Sequence, residues 1–160
     1  MKITSVDTAC YRIPLPHPLS DSTHGQITHF QLVTVQLRDE GGMEGLGYTY
    51  TVGQGGSGIH GLLRADITPL LLQADAEEIE ATWQQMWQQL HYVGRGGMVS
   101  FAISAVDIAL WDLKARRRDL PLWRLLGGSE NQVPVYAGGI DLQFPEDQLL
   151  QQAESFLDQG

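Results

Sequence analysis

The stretch Ala102–Gly127 reads AISAVDIALWDLKARRRDLPLWRLLG. Ser100 leads into an apolar run from Phe101 to Leu113 that closes on Lys114, Arg116, Arg117 and Arg118. Cations at that end suit the negative pole of a helix dipole. Ala102, Ala105, Val106, Ala109, Leu110 and Leu113 recur at helical spacing, and Phe101 and Ile108 widen their face. The spacing predicts one long helix buried on most sides. Asp107 interrupts this apolar surface and needs a partner, because an unpaired buried acid is costly. Asp112 and Arg116 stand four apart and can pair across one turn, worth ~0.3–0.5 kcal/mol. Pro121–Leu126 reads as a further short helix, stopped by Gly127-Gly128.

Upstream, the chain reads first as strands. Lys2–Ile13 alternates imperfectly, and Pro14, Pro16 and Pro18 then end any ladder, because proline offers no N–H. Phe30–Leu37 is rich in β-branched residues, with Leu32, Thr34 and Gln36 opposing Val33, Val35 and Leu37. Asp39-Glu40-Gly41-Gly42 is a hairpin signal, and Met43–Tyr50 returns as a third strand. The pattern predicts an antiparallel meander with a long loop, Leu15–Thr28, between its first two strands. Thr51–Gly58 has four glycines in eight residues and reads as a mobile loop. Ile59, Leu62, Leu63, Ile67, Leu70 and Leu71 then fall on helical spacing, with a break and restart at Thr68-Pro69. Ile79, Trp83, Met86, Trp87 and Leu90 repeat the pattern behind an acidic first turn, Asp75, Glu77, Glu78 and Glu80. Trp83 and Trp87 share a helical face and read as core or subunit packing.

Downstream, Val133–Ile140 is a short, almost wholly apolar strand, as expected when both faces are covered. Pro145 opens an amphipathic helix with Gly160 at its cap. A strand feeding such a helix normally leads to a parallel neighbour. The expectation is a polypeptide cut short; the alternative adds Val133–Ile140 to the meander as a fourth strand.

Composition excludes several function classes. The chain has 160 residues, 42% apolar and 18% charged, too apolar for disorder. No stretch is long and apolar enough for a transmembrane helix, and Met1–Cys10 lacks the apolar core of a signal peptide. The 10 Lys and Arg face 19 Asp and Glu, a net −9, which argues against nucleic acid. The single Cys10 forms no internal disulfide, so a reducing cytoplasm is expected.

The Ala102–Gly127 stretch resembles the N-terminal signature of the mandelate racemase/muconate lactonizing branch of the enolase superfamily. The resemblance rests on small residues at Ala102, Ser104 and Ala105, acids at Asp107 and Asp112, Ala109-Leu110, Ala115-Arg116, Pro121-Leu122 and Leu125-Leu126-Gly127, all without a gap. The rest of the chain agrees in order. Such specificity, the resemblance implies, is nearest to sugar-acid dehydratases of the galactarate/talarate type. It implies an α+β fold: a three-stranded antiparallel meander followed by a helical bundle, an enolase-type capping domain over residues 1–129. Residues 130–160 would then be the first strand and helix of an incomplete TIM-type barrel.

Chemistry in such barrels sits at the C-terminal ends of the strands. The resemblance implies Mg²⁺ and a Lys or His base that removes a proton next to a carboxylate. It also places the lysine base and the metal carboxylates beyond this chain. Lys2 and Lys114, the only two lysines, stand in the wrong places to substitute. No catalytic residue and no metal ligand is therefore expected here, and the chain alone is expected to be inactive. Asp141 follows the first barrel strand and reads as a loop acid.

The resemblance maps two lid loops to Leu15–Thr28 and Tyr48–Gly58. A closing lid excludes water and supplies specificity. The first loop offers Ser20, Asp21, Ser22, Thr23 and His24; the second offers Tyr48, Thr49, Tyr50 and Gln54. Hydroxyl, imidazole and amide groups suit a polyhydroxylated acid. His24, Thr23 and Tyr48 are the candidate substrate contacts, His24 foremost, with a solvent-exposed loop histidine as its alternative. Tyr48 and Tyr50 are expected to divide between core and cap. His17, between two prolines, reads as a rigid turn residue, while His29 and His60 show no partner. Arg95, on a glycine-rich turn, can grip a carboxylate bidentately but fits a cap or interface contact better. Asp107 is expected to lock cap to barrel.

The function expected is the capping and specificity portion of a Mg²⁺-dependent sugar-acid dehydratase, which removes an α-proton and then eliminates a β-hydroxyl. A racemase, epimerase or cycloisomerase shares the first half-reaction. A free-standing, non-catalytic α+β binding or assembly domain is the reading from another class. The expected partner is a small-molecule carboxylate, without nucleic acid or membrane, in a homo-oligomer when complete.

Overall fold

Three strands pair in the order β1–β2–β3: β1 (Ile3–Asp21), β2 (Gly25–Asp39) and β3 (Glu44–Thr51), all antiparallel. They come from a computed structural model, which describes residues 1–139 and 141–159. Val33, Val35 and Leu37 face the core from β2, and Leu32, Thr34 and Gln36 turn away, as the period of two requires.

The expected loop Leu15–Thr28 is instead ladder and turn. Leu19 pairs with Ile27, Ser20 with Gln26 and Asp21 with Gly25, so the hairpin runs out to a tight turn at Ser22–His24. The prolines are absorbed by a register shift between Pro14 and Leu19. β1 is an edge strand, where a missing N–H faces no neighbour. Ile27 and Ser20 are buried, which anchors the hairpin end.

Helix α1 (Gly56–Leu62) runs through a π-helical stretch, Leu63–Ile67, into α2 (Thr68–Leu71). The predicted break at Thr68-Pro69 is thus only a widened turn: the Thr68 N–H reaches back to the Leu63 carbonyl, and Pro69, which has no N–H, follows directly. Ile59, Leu63, Ile67 and Leu71 recur every four residues and are all buried. α3 (Ile79–Gln89) buries Ile79 and Met86, while Trp83 and Trp87 stack at 5.1 Å between ring centroids.

The long helix is α4 (Met98–Arg117). Ala102, Ala105, Val106, Ala109, Leu110 and Leu113 are fully buried, whereas Phe101 and Ile108 lie exposed on its outer side rather than widening the buried face. α4 lies directly on β3. A Cβ built on Gly47 would stand 2.0 Å from the Ala105 carbonyl oxygen, and one on Gly45 2.3 Å from that of Ala109. Glycine on the strand and alanine on the helix bring the two backbones into contact.

Behind this layer Arg117 bridges Asp39 and Glu77. Asp39 is buried and also accepts the N–H groups of Gly41 (2.8 Å) and Met43 (3.0 Å), closing the β2–β3 turn. The acidic stretch before α3 therefore does more than complement a dipole: Asp75 holds the N-terminal amine at 2.9 Å, and Glu77 meets Arg117 and Lys114. Asp112 accepts from Arg116 Nε and from the Leu46 N–H, each at 2.8 Å, so the expected pair also ties α4 to β3.

After α5 (Leu122–Leu125) the chain turns at Gly127, φ +88°, and leaves the core. Residues 133–139 form no strand ladder; Ile140, the end of the expected strand, and Gly160, the expected cap, lie outside the described residues. Among the described residues the fourth-strand alternative is reduced to a single parallel bridge between Ser20 and Asp141, with the Leu142 N–H donating to the Ser20 carbonyl at 3.1 Å. α6 (Glu146–Asp158) forms where expected but buries none of its residues. No helix among the described residues is long and apolar enough to cross a membrane.

Candidate functional site

The end of the β1–β2 hairpin and the glycine-rich loop after β3 converge on one cleft of about 310 Å³. His24, Gln26, Ile27, Thr28 and His29 line one side, and Val52, Gly53 and Gln54 the other. Sheet pairing makes this meeting possible: Gln31 pairs with Thr51, so the residues beyond each partner project from the same edge. Gly53, with φ +75°, lays its backbone along the His29 ring; a Cβ there would stand 3.4 Å from His29 Cε1.

The glycine loop is held from below. Gln31 Oε1 accepts the Gly56 N–H at 2.7 Å, at the start of α1, where that amide has no carbonyl one turn back to bond. Gly56 is buried against Gln31, and a Cβ there would come within 2.8 Å of that side chain. Nothing in the periodicity of β2 singles out Gln31, since the contact crosses from one strand to a helix start.

His24, the foremost candidate, lines the cleft. Its Nδ1 lies 2.8 Å from Asp21 Oδ2, and its N–H donates to Asp21 Oδ1. Thr23 is exposed and outside the cleft wall; its N–H donates to Asp21 Oδ1 at 2.8 Å. Asp21 is held below the usual carboxylate range, first by the His24 backbone N–H and then by the His24 ring. Asp21 was one acid among five polar residues of the first loop; its three-residue spacing from His24 becomes informative only once the hairpin turn is known.

Tyr48 does not line this cleft. Tyr48 and Tyr50 sit two apart on one strand and therefore share a face, so the expected division between core and cap does not occur. Both are exposed on the side of the sheet away from the helices, where Tyr50 meets Phe30 edge-on at 5.5 Å. The residues that alternate with them and face the core are Gly47 and Thr49.

The remaining candidates disperse. His29 Nδ1 lies 3.2 Å from Thr28 Oγ1, and His60 Nε2 lies 3.2 Å from the Thr8 carbonyl, so both acquire partners that the sequence did not show. His17 is exposed within the register shift. Arg95 stacks on Trp87, its guanidinium carbon 5.1 Å from the ring centroid, and meets no carboxylate among the described residues. Asp107 has no hydrogen-bond or ion-pair partner among the described residues, and burial pushes its carboxyl up. It faces a separate cleft of about 320 Å³ with Trp83, Gln84 and Trp111. Asp141 rests against the hairpin end beside Ser20 and Gln26, one carboxylate oxygen buried without a partner among the described residues.

A small antiparallel sheet backed by helices, with a hairpin end and a glycine loop brought to one cleft, defines an α+β capping domain. The chain belongs to the mandelate racemase/muconate lactonizing enzyme branch of the enolase superfamily: residues 3–127 match that family's N-terminal domain. It is 56% identical over 158 residues to 3,6-anhydro-alpha-L-galactonate cycloisomerase of Streptomyces coelicolor, covering 99% of this chain and 44% of that protein. It is similar to the crystal structure of a racemase from Streptomyces coelicolor A3(2) with bound magnesium, with a TM-score of 0.95, 56% identity and coverage of 98% and 44%. It is also similar to L-talarate dehydratase from Polaromonas sp. JS666 complexed with Mg and L-glucarate, with a TM-score of 0.90, 34% identity and coverage of 99% and 44%. The chain thus spans less than half the length of these relatives.

Magnesium is present in both of those structures. Among the described residues of this chain, no group of three or more His, Cys, Asp or Glu is placed to hold a metal ion. The donor set present does not fit a divalent cation.

Proposed function

We propose that this chain is the capping and specificity portion of a Mg²⁺-dependent, cytoplasmic enzyme that acts on a sugar acid. Residues 1–129 form the cap, and residues 130–160 open the barrel that bears the base and the metal. The observation that carries the reading is a cleft in which imidazole, hydroxyl and amide groups of the hairpin end face the amide of Gln54 on the glycine-rich loop. Several hydrogen-bonding groups on one small surface match a ligand with a hydroxyl on nearly every carbon, and reject one that leaves them unpaired.

The reaction class is removal of the proton α to a carboxylate, followed by departure of the oxygen on the β-carbon. In an aldarate or aldonate that oxygen leaves as a hydroxyl, as expected for a dehydratase. In a 3,6-anhydro acid the β-oxygen belongs to the ring, so the same elimination opens the ring. Identity of 56% to the cycloisomerase, against 34% to the talarate dehydratase, favours ring opening over the dehydration preferred from the sequence.

Joining this cap to the barrel portion of the Streptomyces coelicolor relative tests the proposal. The expected result is Mg²⁺-dependent formation of a 2-keto acid from the 3,6-anhydro acid, read by semicarbazone absorbance, and none from the 160-residue chain alone. Turnover of galactarate in preference to the anhydro acid would restore the dehydratase reading. A folded chimera inert on both acids, beside an active parent, would overturn the sugar-acid reading.

A further inference from the structure

Asp21 is outside the wall of the cleft, yet both of its carboxylate oxygens engage His24, which lies in that wall. Oδ1 accepts the N–H groups of Thr23 and His24, and Oδ2 faces His24 Nδ1 at 2.8 Å. An ionised carboxylate only accepts hydrogen bonds, so the ring nitrogen facing it must carry the proton. In the neutral ring the other nitrogen, Nε2, then holds a lone pair. A carboxylate behind an imidazole thus fixes tautomer and ring direction together.

We propose that Asp21 is a positioning residue: it holds His24 as the Nδ1–H tautomer and presents Nε2 to the cleft as the acceptor for a substrate hydroxyl. The inference rests on the sugar-acid reading above and deepens it, because it assigns the cleft an acceptor for O–H. Gln26 and Gln54 add amide groups, each both donor and acceptor, and Thr28 adds a hydroxyl. A deoxy analogue at the matched carbon would leave Nε2 unpaired in a closed site, at a cost in affinity of about tenfold or more.

Asp21→Asn is the informative variant. Its amide oxygen can still accept the backbone N–H groups of the turn, while its NH₂ replaces Oδ2 and donates to the ring. Nδ1 must then lose its proton, and the tautomer inverts, as in other carboxylate-to-amide changes behind a histidine. With ¹⁵N-histidine in the 160-residue chain, long-range ¹H–¹⁵N spectra at a pH where the ring is neutral should show Nδ1–H at His24 in the parent. They should show Nε2–H in Asp21→Asn, a ratio changed by at least about fivefold. The amide shifts of Gln26 and Ile27 should stay in place, showing that the hairpin end is intact. Asp21→Ala should drift to the same tautomer with the turn loosened. A parent His24 in the Nε2–H form, or a ratio indifferent to both variants, would overturn the proposal.

In the chimera, Asp21→Asn should raise KM about tenfold while kcat changes less than about threefold. An inverted tautomer with KM unmoved would also overturn the proposal, since the ring would then touch no substrate. Inactivity of the unsubstituted chimera is a separate outcome; it strikes at the sugar-acid reading, and the tautomer result still decides what Asp21 does to His24.

Discussion

At the scale of single residues, the strongest electrostatic claim concerns Arg117. Burial pushes the Asp39 carboxyl up, but the hydrogen bond from Arg117, the Met43 N–H and the Arg117 charge outweigh it, and the group ends below its ordinary range. Glu77 follows the same balance: burial raises it, and Arg117, then Lys114 and Arg118, bring it down. The folded state therefore gives up these protons at lower pH than the unfolded chain does. Stability from the cluster is complete above the unfolded carboxylate range and is lost as pH falls through the lower folded values. Arg117→Met leaves Asp39 buried and uncompensated, at a cost of about 3 kcal/mol at pH 7. Urea denaturation from pH 7 down to pH 3 should show that deficit shrinking on the acid side; a constant deficit would assign the loss to packing alone. None of this was visible beforehand. Asp39 reads locally as a turn residue, and its partner lies 78 positions away. Asp107 shows the converse: the sequence marked it as an acid needing a partner, and among the described residues it has none.

Elements were far more legible than contacts, because periodicity is local and pairing is not. The strands, the long helix and their order follow from spacings of two and three to four residues. Two readings failed for a physical reason that spacing cannot express. Prolines at 14, 16 and 18 forbid a ladder only if their N–H positions are needed, and on an edge strand they are not. Phe101 and Ile108 look like core residues, yet they lie outside the arc of α4 that alanine brings against β3. That arc makes a sharp prediction. Gly47→Ala places a methyl group 2.0 Å from the Ala105 carbonyl oxygen and 2.6 Å from the Ala109 N–H nitrogen, both backbone atoms that no rotamer can move. The helix must lift from the sheet along much of its length, at a cost of about 3 kcal/mol or more. Gly42→Ala is the control: nothing lies within 4 Å of its Cβ, so its cost is only that of a left-handed alanine, φ +82°, about 1–2 kcal/mol. Chemical denaturation should rank Gly47→Ala as much the worse of the two; equal losses would mean that the helix does not ride on the glycines.

Over the whole molecule, stability is divided unevenly. The core runs from Ile3 to Leu113, through the sheet and the helices from α1 to α4 with Ala76 and Leu90 on the turns that flank α3, and α6 contributes none. Val135, Tyr136 and Ala137 meet Ala153, Phe156 and Leu157 across a cleft of about 650 Å³, but Tyr136 stays 95% exposed and Leu157 80%. Buried apolar area is what opposes local opening, so the segment after Gly128 should open at a free energy far below that of the core. The Ser20–Asp141 bridge and the Leu142 N–H bond are its links to the sheet among hydrogen bonds of the described residues. Limited proteolysis should therefore cut first between Gly128 and Gly139 and leave a resistant fragment ending near residue 128. That fragment should melt within about 2 °C of the intact chain, since it keeps the entire core. Amides of Val133–Gly139 should exchange within the dead time while those of Ser100–Leu113 persist. A tail that resists protease as long as α4, or a fragment that melts well below the parent, would show that the segment after Gly128 stabilises the sheet and its helices. In that case the hairpin end that carries His24, held to the tail through Ser20, would lose its order together with it.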